Sequence, residues 1–176
     1  MAVPLPIETA RLLVREFRPD TDGADAAVVY RDPEVMRFIP GGPLPDERAV
    51  GALVERYARE QAERGFSSWA VVERSTGRVI GDAGFEVFEP TGDVELGYTL
   101  ARDRWGHGFA VEAAAACLRA GFAHLDVARI IALVDAENER SLVVVERIGM
   151  SREGMVEAHG RPHVLFVASP GSAAPR

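Results

Sequence analysis

Apolar and polar positions along the chain switch repeatedly between a two-residue and a 3.6-residue period. Leu12 to Phe17 reads as a first strand, and Asp20 to Arg31 as a helix that closes before Pro33. Gly41-Gly42-Pro43-Leu44-Pro45 is a loop. Asp46 then caps a helix to about Glu63, in which Val50, Leu53, Val54 and Tyr57 keep the helical period. Ser68 to Glu73 and Arg78 to Phe88 are predicted strands around a tight turn at Ser75-Thr76-Gly77. In Asp93 to Leu100 the alternation is clean: Val94, Leu96, Tyr98 and Leu100 face one way, Glu95, Gly97 and Thr99 the other. A helix is predicted from near Gly106, with Phe109, Ala113, Ala116, Cys117 and Ala120 on its apolar face. Arg129 to Val134 reads as a buried central strand, Ser141 to Ile148 as a helix stopped by Gly149, and Ser151 to Glu157 and His163 to Ala168 as two last strands.

The strand–helix–strand unit from Asp93 to Val134 requires a parallel pair, while the hairpins require antiparallel ones. The expectation is an α/β class fold with a mixed, mostly antiparallel sheet and helices on both faces. With 176 residues the chain suits one domain, expected over residues 1–168. Ser169 to Arg176 is small, polar and proline-containing, which predicts a disordered tail.

Composition narrows the function classes. A formal net charge of -7 makes nucleic acid and anionic lipid poor partners and favours cationic ones such as amines. The single cysteine, Cys117, excludes an internal disulfide. Pro4 and Pro6 break the N-terminal segment, which has no signal-peptide pattern, and no apolar run reaches the roughly 18 residues of a membrane helix. A cytoplasmic location is therefore expected.

Trp105-Gly106-His107-Gly108-Phe109-Ala110 follows a strand and opens a helix. About four backbone N–H groups lack partners at a helix start, and the helix dipole adds roughly half a positive charge there. Two glycines let the backbone approach a ligand, so the segment reads as a pyrophosphate cradle or as a plain tight turn. A dinucleotide fingerprint would place a third glycine at Val111, which disfavours a nicotinamide enzyme. Asn138-Glu139-Arg140-Ser141 sets an amide and a hydroxyl at another helix start, where both residue types also serve as ordinary caps.

Four pieces in order resemble the GNAT acetyltransferase superfamily, and within it the ribosomal-protein N-terminal alanine acetyltransferases. They are Thr9 to Arg15, Val94 to Leu100, Trp105 to Ala113, and Asn138 to Ser141 leading to Ile148-Gly149-Met150. The resemblance spans Ile7 to about Ala168. It implies acetyl-CoA as co-substrate and no metal. It assigns the loop Trp105, Gly106, His107, Gly108, Phe109 and Ala110 to the pyrophosphate, and the main chain near Tyr98, Thr99 and Leu100 to pantetheine and the thioester carbonyl. Asn138 and Ser141 would complete the cofactor contacts, with Asp93–Leu100 and Arg129–Val134 as a splayed strand pair. Met150 stands where that branch usually has phenylalanine, and the hairpin around Arg161 lacks the acid that many members carry.

An amine acceptor must be neutral to attack, and the departing thiolate must gain a proton. Glu95 is the candidate base; Glu112 and Glu86 are its rivals, with Glu112 read as structural. Ser141 is the candidate proton donor, whereas Tyr98 alternates away from Glu95 and Thr99. His159 and His163 are read as candidates to line the acceptor pocket, with no third metal ligand in view. The acceptor is a small-molecule or peptide amine, and the resemblance favours a protein α-amine. The chain is expected to act as a monomer or a homodimer. The competing class is an acyl-CoA sensor with the same fold and no catalysis.

Overall fold

The computed structural model describes residues 2–171; the expected tail therefore falls, from position 172 on, outside the described residues. Twelve elements make up the fold: β1 (Ile7–Glu8), β2 (Leu12–Arg15), α1 (Pro19–Tyr30), α2 (Glu47–Arg64), β3 (Ser68–Glu73), β4 (Val79–Phe88), β5 (Asp93–Leu100), α3 (Phe109–His124), β6 (Ile130–Asp135), α4 (Glu139–Arg147), β7 (Ser151–Ala158) and β8 (Arg161–Ala168). Two single 3₁₀ turns, Met36–Phe38 and Arg102–Arg104, punctuate the connections.

All eight strands join one sheet in the order β1-β2-β3-β4-β5-β6-β8-β7. Every pairing is antiparallel except β5–β6, which is parallel as the strand–helix–strand unit requires. That parallel ladder is short. Val94 pairs with Ile130 and Glu95 with Ile131, and pairing stops there although both strands continue.

Two apolar clusters sandwich the sheet. One, with Trp69, Phe85, Leu96, Ala113, Cys117 and Phe166, lies under α3 and α4. The other, with Phe17, Val29, Tyr30, Met36, Val50 and Val54, lies under α1 and α2. Core burial of this kind, at about 25 cal/mol per Å² of apolar surface, is the main source of stability.

Element boundaries depart from the sequence expectations where side chains or proline intervene. β2 ends at Arg15 instead of Phe17, because Phe17 turns into the α1–α2 core and Pro19 starts α1 at a position where its missing N–H costs nothing. α3 begins at Phe109, not Gly106. Gly106 and Gly108 adopt φ of 78° and 79°, a left-handed conformation that a helix does not admit. α4 begins two residues early because Asn138 caps it, accepting a hydrogen bond from the Ser141 N–H at 3.2 Å. β8 begins at Arg161: Pro162 faces only Glu157 of β7 and lies before the ladder to β6 starts at His163. β1, two residues long, is too short to show a period.

α3 lies close to the sheet at Gly121. A β-carbon there would fall 2.6 Å from Phe85 Cζ and 2.8 Å from Ile130 Cδ1, and both side chains are buried without room to yield. Overpacking of a filled core costs about 1–3 kcal/mol. Gly121→Val is expected to lower the urea unfolding midpoint by that amount of stability with the m-value unchanged; an unaltered midpoint would show that α3 can lift.

Candidate active site

Between Leu100 and α3 the chain makes a loop whose amides are unspent. Among the described residues, none of the backbone N–H groups from Gly106 to Val111 has a hydrogen-bond acceptor; the first to bond back is Glu112, to the Gly108 carbonyl at 3.1 Å. This is the geometry of an anion cradle at a helix N-terminus.

Glu112 holds that cradle in place. Its carboxylate accepts from the Thr9 hydroxyl at 2.6 Å, from the Arg11 N–H at 2.9 Å and from Arg11 Nε at 2.7 Å. Arg11 in turn donates to the His107 carbonyl at 2.9 Å and lies over the Phe109 ring at 4.4 Å. Burial acts to raise the Glu112 pKa, but the bonds from Thr9 and Arg11 outweigh it and the net shift is downward. Glu112 thus sits as a fixed anion in the first turn, where the helix dipole also favours it. The Thr9–Arg11 segment is a brace for the loop, which gives the N-terminal piece of the motif its physical meaning.

A cavity of about 530 Å³ opens beside the loop. Its charged lining is mainly basic: Arg37, Arg104, Arg140 and Arg147 against Glu34 and Glu139. Arg140 stacks over Trp105 at 4.4 Å, and Trp105 donates its indole N–H to the Leu100 carbonyl at 2.9 Å. The Leu100 carbonyl, within the main-chain stretch assigned to pantetheine, thus already accepts one hydrogen bond inside the chain. His107 is exposed, its Nδ1 2.8 Å from the Trp105 carbonyl.

A second cavity, of about 690 Å³, lies on the α1–α2 face of the sheet. Its floor is set by the β4–β5 register, which places Asp82 opposite Thr99 and Glu86 opposite Glu95. Asp82 is buried and accepts from the Tyr30 hydroxyl at 2.8 Å. Burial pushes its pKa up to about 7, the Tyr30 bond acting against this and the Glu86 charge adding to it. Glu95 is half-buried and is also raised to about 7, first by desolvation and then by the Glu86 charge, with the Leu133 backbone N–H acting in the opposite direction. Leu133 lies beyond the end of the β5–β6 ladder, and Glu95 reaches into the gap.

The two cavities share a wall that includes Tyr98, Thr99, Asn138 and Ser141. Ser141 Oγ lies 2.7 Å from the Tyr98 hydroxyl, which also donates to the Ser141 carbonyl at 3.2 Å. The Tyr98 side chain points to the face opposite Glu95, as the alternation of β5 predicts, and that direction is what delivers its hydroxyl to Ser141. Burial holds the phenol well above its ordinary pKa. Asn138 has the capping role described above.

The hairpin between β7 and β8 turns through His159 and Gly160, with φ of 52° and 75°, the two left-handed positions of a two-residue turn. It carries His159 and His163 to the edge of the second cavity, their rings 5.8 Å apart. Among the described residues no group of three His, Cys, Asp or Glu side chains could hold a metal ion. None of the described helices is long and apolar enough to cross a membrane.

The residues that sequence reasoning missed are Asp82, Tyr30 and Tyr57 of the second cavity. One signal was present: Asp82 is a carboxylate inside the strand Val79-Ile80-Gly81-Asp82-Ala83-Gly84-Phe85, where burial of an unpaired charge would be costly.

The model of a family described as an acetyltransferase (GNAT) domain matches residues 11–151. The chain belongs to the GNAT acetyltransferase family. It is 35% identical over 151 residues to the uncharacterised N-acetyltransferase YnaD of Bacillus subtilis, covering 84% of each chain. The crystal structure of a GNAT-family acetyltransferase from Bacillus anthracis superposes with a TM-score of 0.82 at 27% identity, over 94% of this chain and 98% of that one. RimJ of Mycobacterium smegmatis, solved in complex with CoA-disulfide, shares the fold at a TM-score of 0.75 and 20% identity, over 90% and 81% of the two chains. As a GNAT protein the chain is an acyltransferase, of a family that uses acetyl-CoA as co-substrate and amines as acceptors. The free amides at Gly106 to Val111 and the arginine-lined cavity beside them fit the anionic end of that co-substrate.

Acetyl-CoA at about 100 times its dissociation constant should stabilise the GNAT domain by about 2.7 kcal/mol, and each kcal/mol moves the midpoint of a chain this size by about 2–4 °C. Glu112→Ala, which frees Arg11 and Thr9 from the loop, is expected to weaken acetyl-CoA about tenfold and so to halve that thermal shift at the same concentration. An undiminished shift would show that the loop holds its shape without the brace.

Proposed function

We propose that this protein is an N-acetyltransferase that passes the acetyl group of acetyl-CoA directly to a primary amine in a ternary complex, with a protein N-terminal α-amine as the acceptor that its sequence resemblance favours. The observation that carries the reading is the pair of cavities, one basic and one acidic, meeting at Tyr98, Thr99, Asn138 and Ser141.

Acetyl-CoA supplies a thioester carbonyl. The neutral amine nitrogen attacks the carbonyl carbon, the carbon–sulfur bond breaks, the nitrogen loses a proton and the departing sulfur gains one. Glu95, on the acidic side of the shared wall, takes the proton from the amine directly or through a water. The ammonium form of a free α-amine titrates at about 7.7–8.0, within about one unit of Glu95, so its deprotonation by Glu95 to the neutral nucleophile is close to thermoneutral. On the other side Ser141 donates to the sulfur, and Tyr98 positions it through the 2.7 Å contact between their hydroxyls. An acid–base pair split by environment in this way is a recurrent solution to two-proton chemistry.

The test is the pH dependence of thiol release with acetyl-CoA and an amine panel. The base must be ionised, so the wild-type rate should climb as pH rises through about 7. Glu95→Gln should lose roughly two orders of magnitude at neutral pH, lack that limb, and recover as the amine itself deprotonates. A wild-type profile in the variant would remove Glu95 from the reaction.

Ser141→Ala should lower turnover at least about tenfold with little change in acetyl-CoA affinity. Wild-type turnover in this variant would exclude Ser141 as the proton donor.

A further inference from the structure

Glu86 and Glu95 stand directly opposite each other on adjacent strands, on the cavity-facing side of the sheet. Like charges in facing cross-strand positions are destabilising. Among the described residues neither carboxylate has a cationic partner, and Glu86, which is exposed, has no hydrogen-bond partner at all. The neighbouring floor is open: at Gly97 a β-carbon would meet nothing nearer than Glu86 Oε1 at 3.9 Å. Four further acids line the same cavity: Asp82, Glu89, Asp135 and Glu157. Asp82 is buried beneath Thr99. Asp135, also buried, has Arg161 3.0 Å from its Oδ2 but outside hydrogen-bonding geometry, so this oxygen accepts no hydrogen bond. Arg56 is the one arginine in the lining, and it stacks on Tyr57 and pairs with Glu60.

A single reacting amine must arrive neutral, so it does not account for this much negative charge. We infer that the acceptor carries a second nitrogen, cationic at working pH, a few bonds from the reacting amine, and that Glu86 is the specificity residue that holds it while Glu95 faces the nitrogen that reacts. The inference rests on the proposed transfer reaction and narrows its acceptor. The chemistry is that of a short diamine, or of a peptide whose second residue is basic. Occupancy by such a cation relieves the Glu86–Glu95 repulsion, so binding and the strain of the facing pair are linked.

The experiment compares matched acceptors: 1,4-diaminobutane against butylamine, and a peptide beginning Ala-Lys against one beginning Ala-Leu. It is run near pH 8.5, about where Glu95 is ionised and the second nitrogen still charged. The expected result is a kcat/KM at least about tenfold higher for the dicationic member of one pair, and the successful pair identifies the source. Glu86→Gln should bring that preference close to unity through a raised KM for the dicationic acceptor; because the Glu86 charge also tunes Glu95, some change in the monoamine rate is expected, but a much smaller one than for the dicationic acceptor. Equal use of both members in both pairs, or an equal loss for mono- and diamine in Glu86→Gln, would overturn the inference while leaving amine acetylation intact. Calorimetric binding of 1,4-diaminobutane and butylamine to the CoA-saturated protein decides the matter apart from turnover. Selective diamine binding that needs Glu86, with no amine acetylated, would support the acidic site and sink the transferase reading instead.

Discussion

Everything distinctive about this site depends on one interruption: the β5–β6 ladder ends at Glu95 and Ile131 while both strands run on. In a continuous sheet the two faces are sealed from each other, since each backbone N–H and C=O is used by a neighbour. Where the pair diverges, a slot joins the α3–α4 face to the α1–α2 face. Main-chain groups along its rim become available to a ligand, and side chains of opposite orientation can reach the same point. Tyr98 and Glu95 point to opposite faces, yet both bound the region where the cavities meet. The divergence is held from outside: β4 pairs with β5 from Phe88 to Gly81, and β8 pairs with β6 along its whole length. Each strand of the splayed pair is thus anchored on its far side, and the gap does not close.

The second constraint is electrostatic and local. The chain is acidic overall, with a formal charge of -7, yet the charged lining of its first cavity is mainly basic. Global charge matters little at this range, since ions separated by more than about 8–10 Å are screened at physiological salt. What acts is the set of amides from Gly106 to Val111 and the four arginines beside them. The loop that presents these amides has little packing of its own, because two left-handed glycines form its backbone. Its shape is borrowed from Glu112, Arg11 and Thr9, three residues from two distant segments joined by short hydrogen bonds.

These features were unequally legible in the amino-acid sequence. The clean alternation of β5, the Gly106–Gly108 loop and the cap before α4 were readable because each rests on local chemistry: period, left-handed glycine and side-chain capping. The parallel pair followed from connectivity alone. Hidden were the facts set by register between strands. Nothing in the spacing of Asp82, Glu86, Glu95 and Thr99 says that they face each other in pairs. The reach of the Tyr98 ring to Ser141 was hidden for a related reason. Alternation gives a side chain's face but not its length or what waits on that face, and α4 is brought there only by the crossover through β6. Glu112 shows the converse, a residue whose acidic position in a first turn already implied a structural role, with its partners 101 and 103 residues away in the chain.

The split of the site between two faces also resolves a conflict in the chemistry. In the proposed reaction one group must take a proton near neutral pH and the other must keep its own until the sulfur departs. Placed together in one environment, a base near neutrality and a donor hydroxyl would influence each other's charge. Here burial first and the Glu86 charge second raise the Glu95 pKa to about 7, while Tyr98 is packed against the apolar α3–α4 core, where burial keeps the phenol protonated and bound to Ser141. The sheet, with its low polarity and few mobile charges, separates the two environments, and the slot in it is the one place where a bound acyl group would touch both. The charged linings differ in balance: four arginines face Glu34 and Glu139 in the first cavity, whereas Arg56 is the one arginine among six acids in the second. In the proposed reaction, carboxylates beside the glycine loop would oppose the phosphates, whereas those of the second cavity would both tune the base and recruit a cation. Sheet geometry, through one prematurely ended ladder, thus sets which charges meet the reacting atoms and which are kept from them.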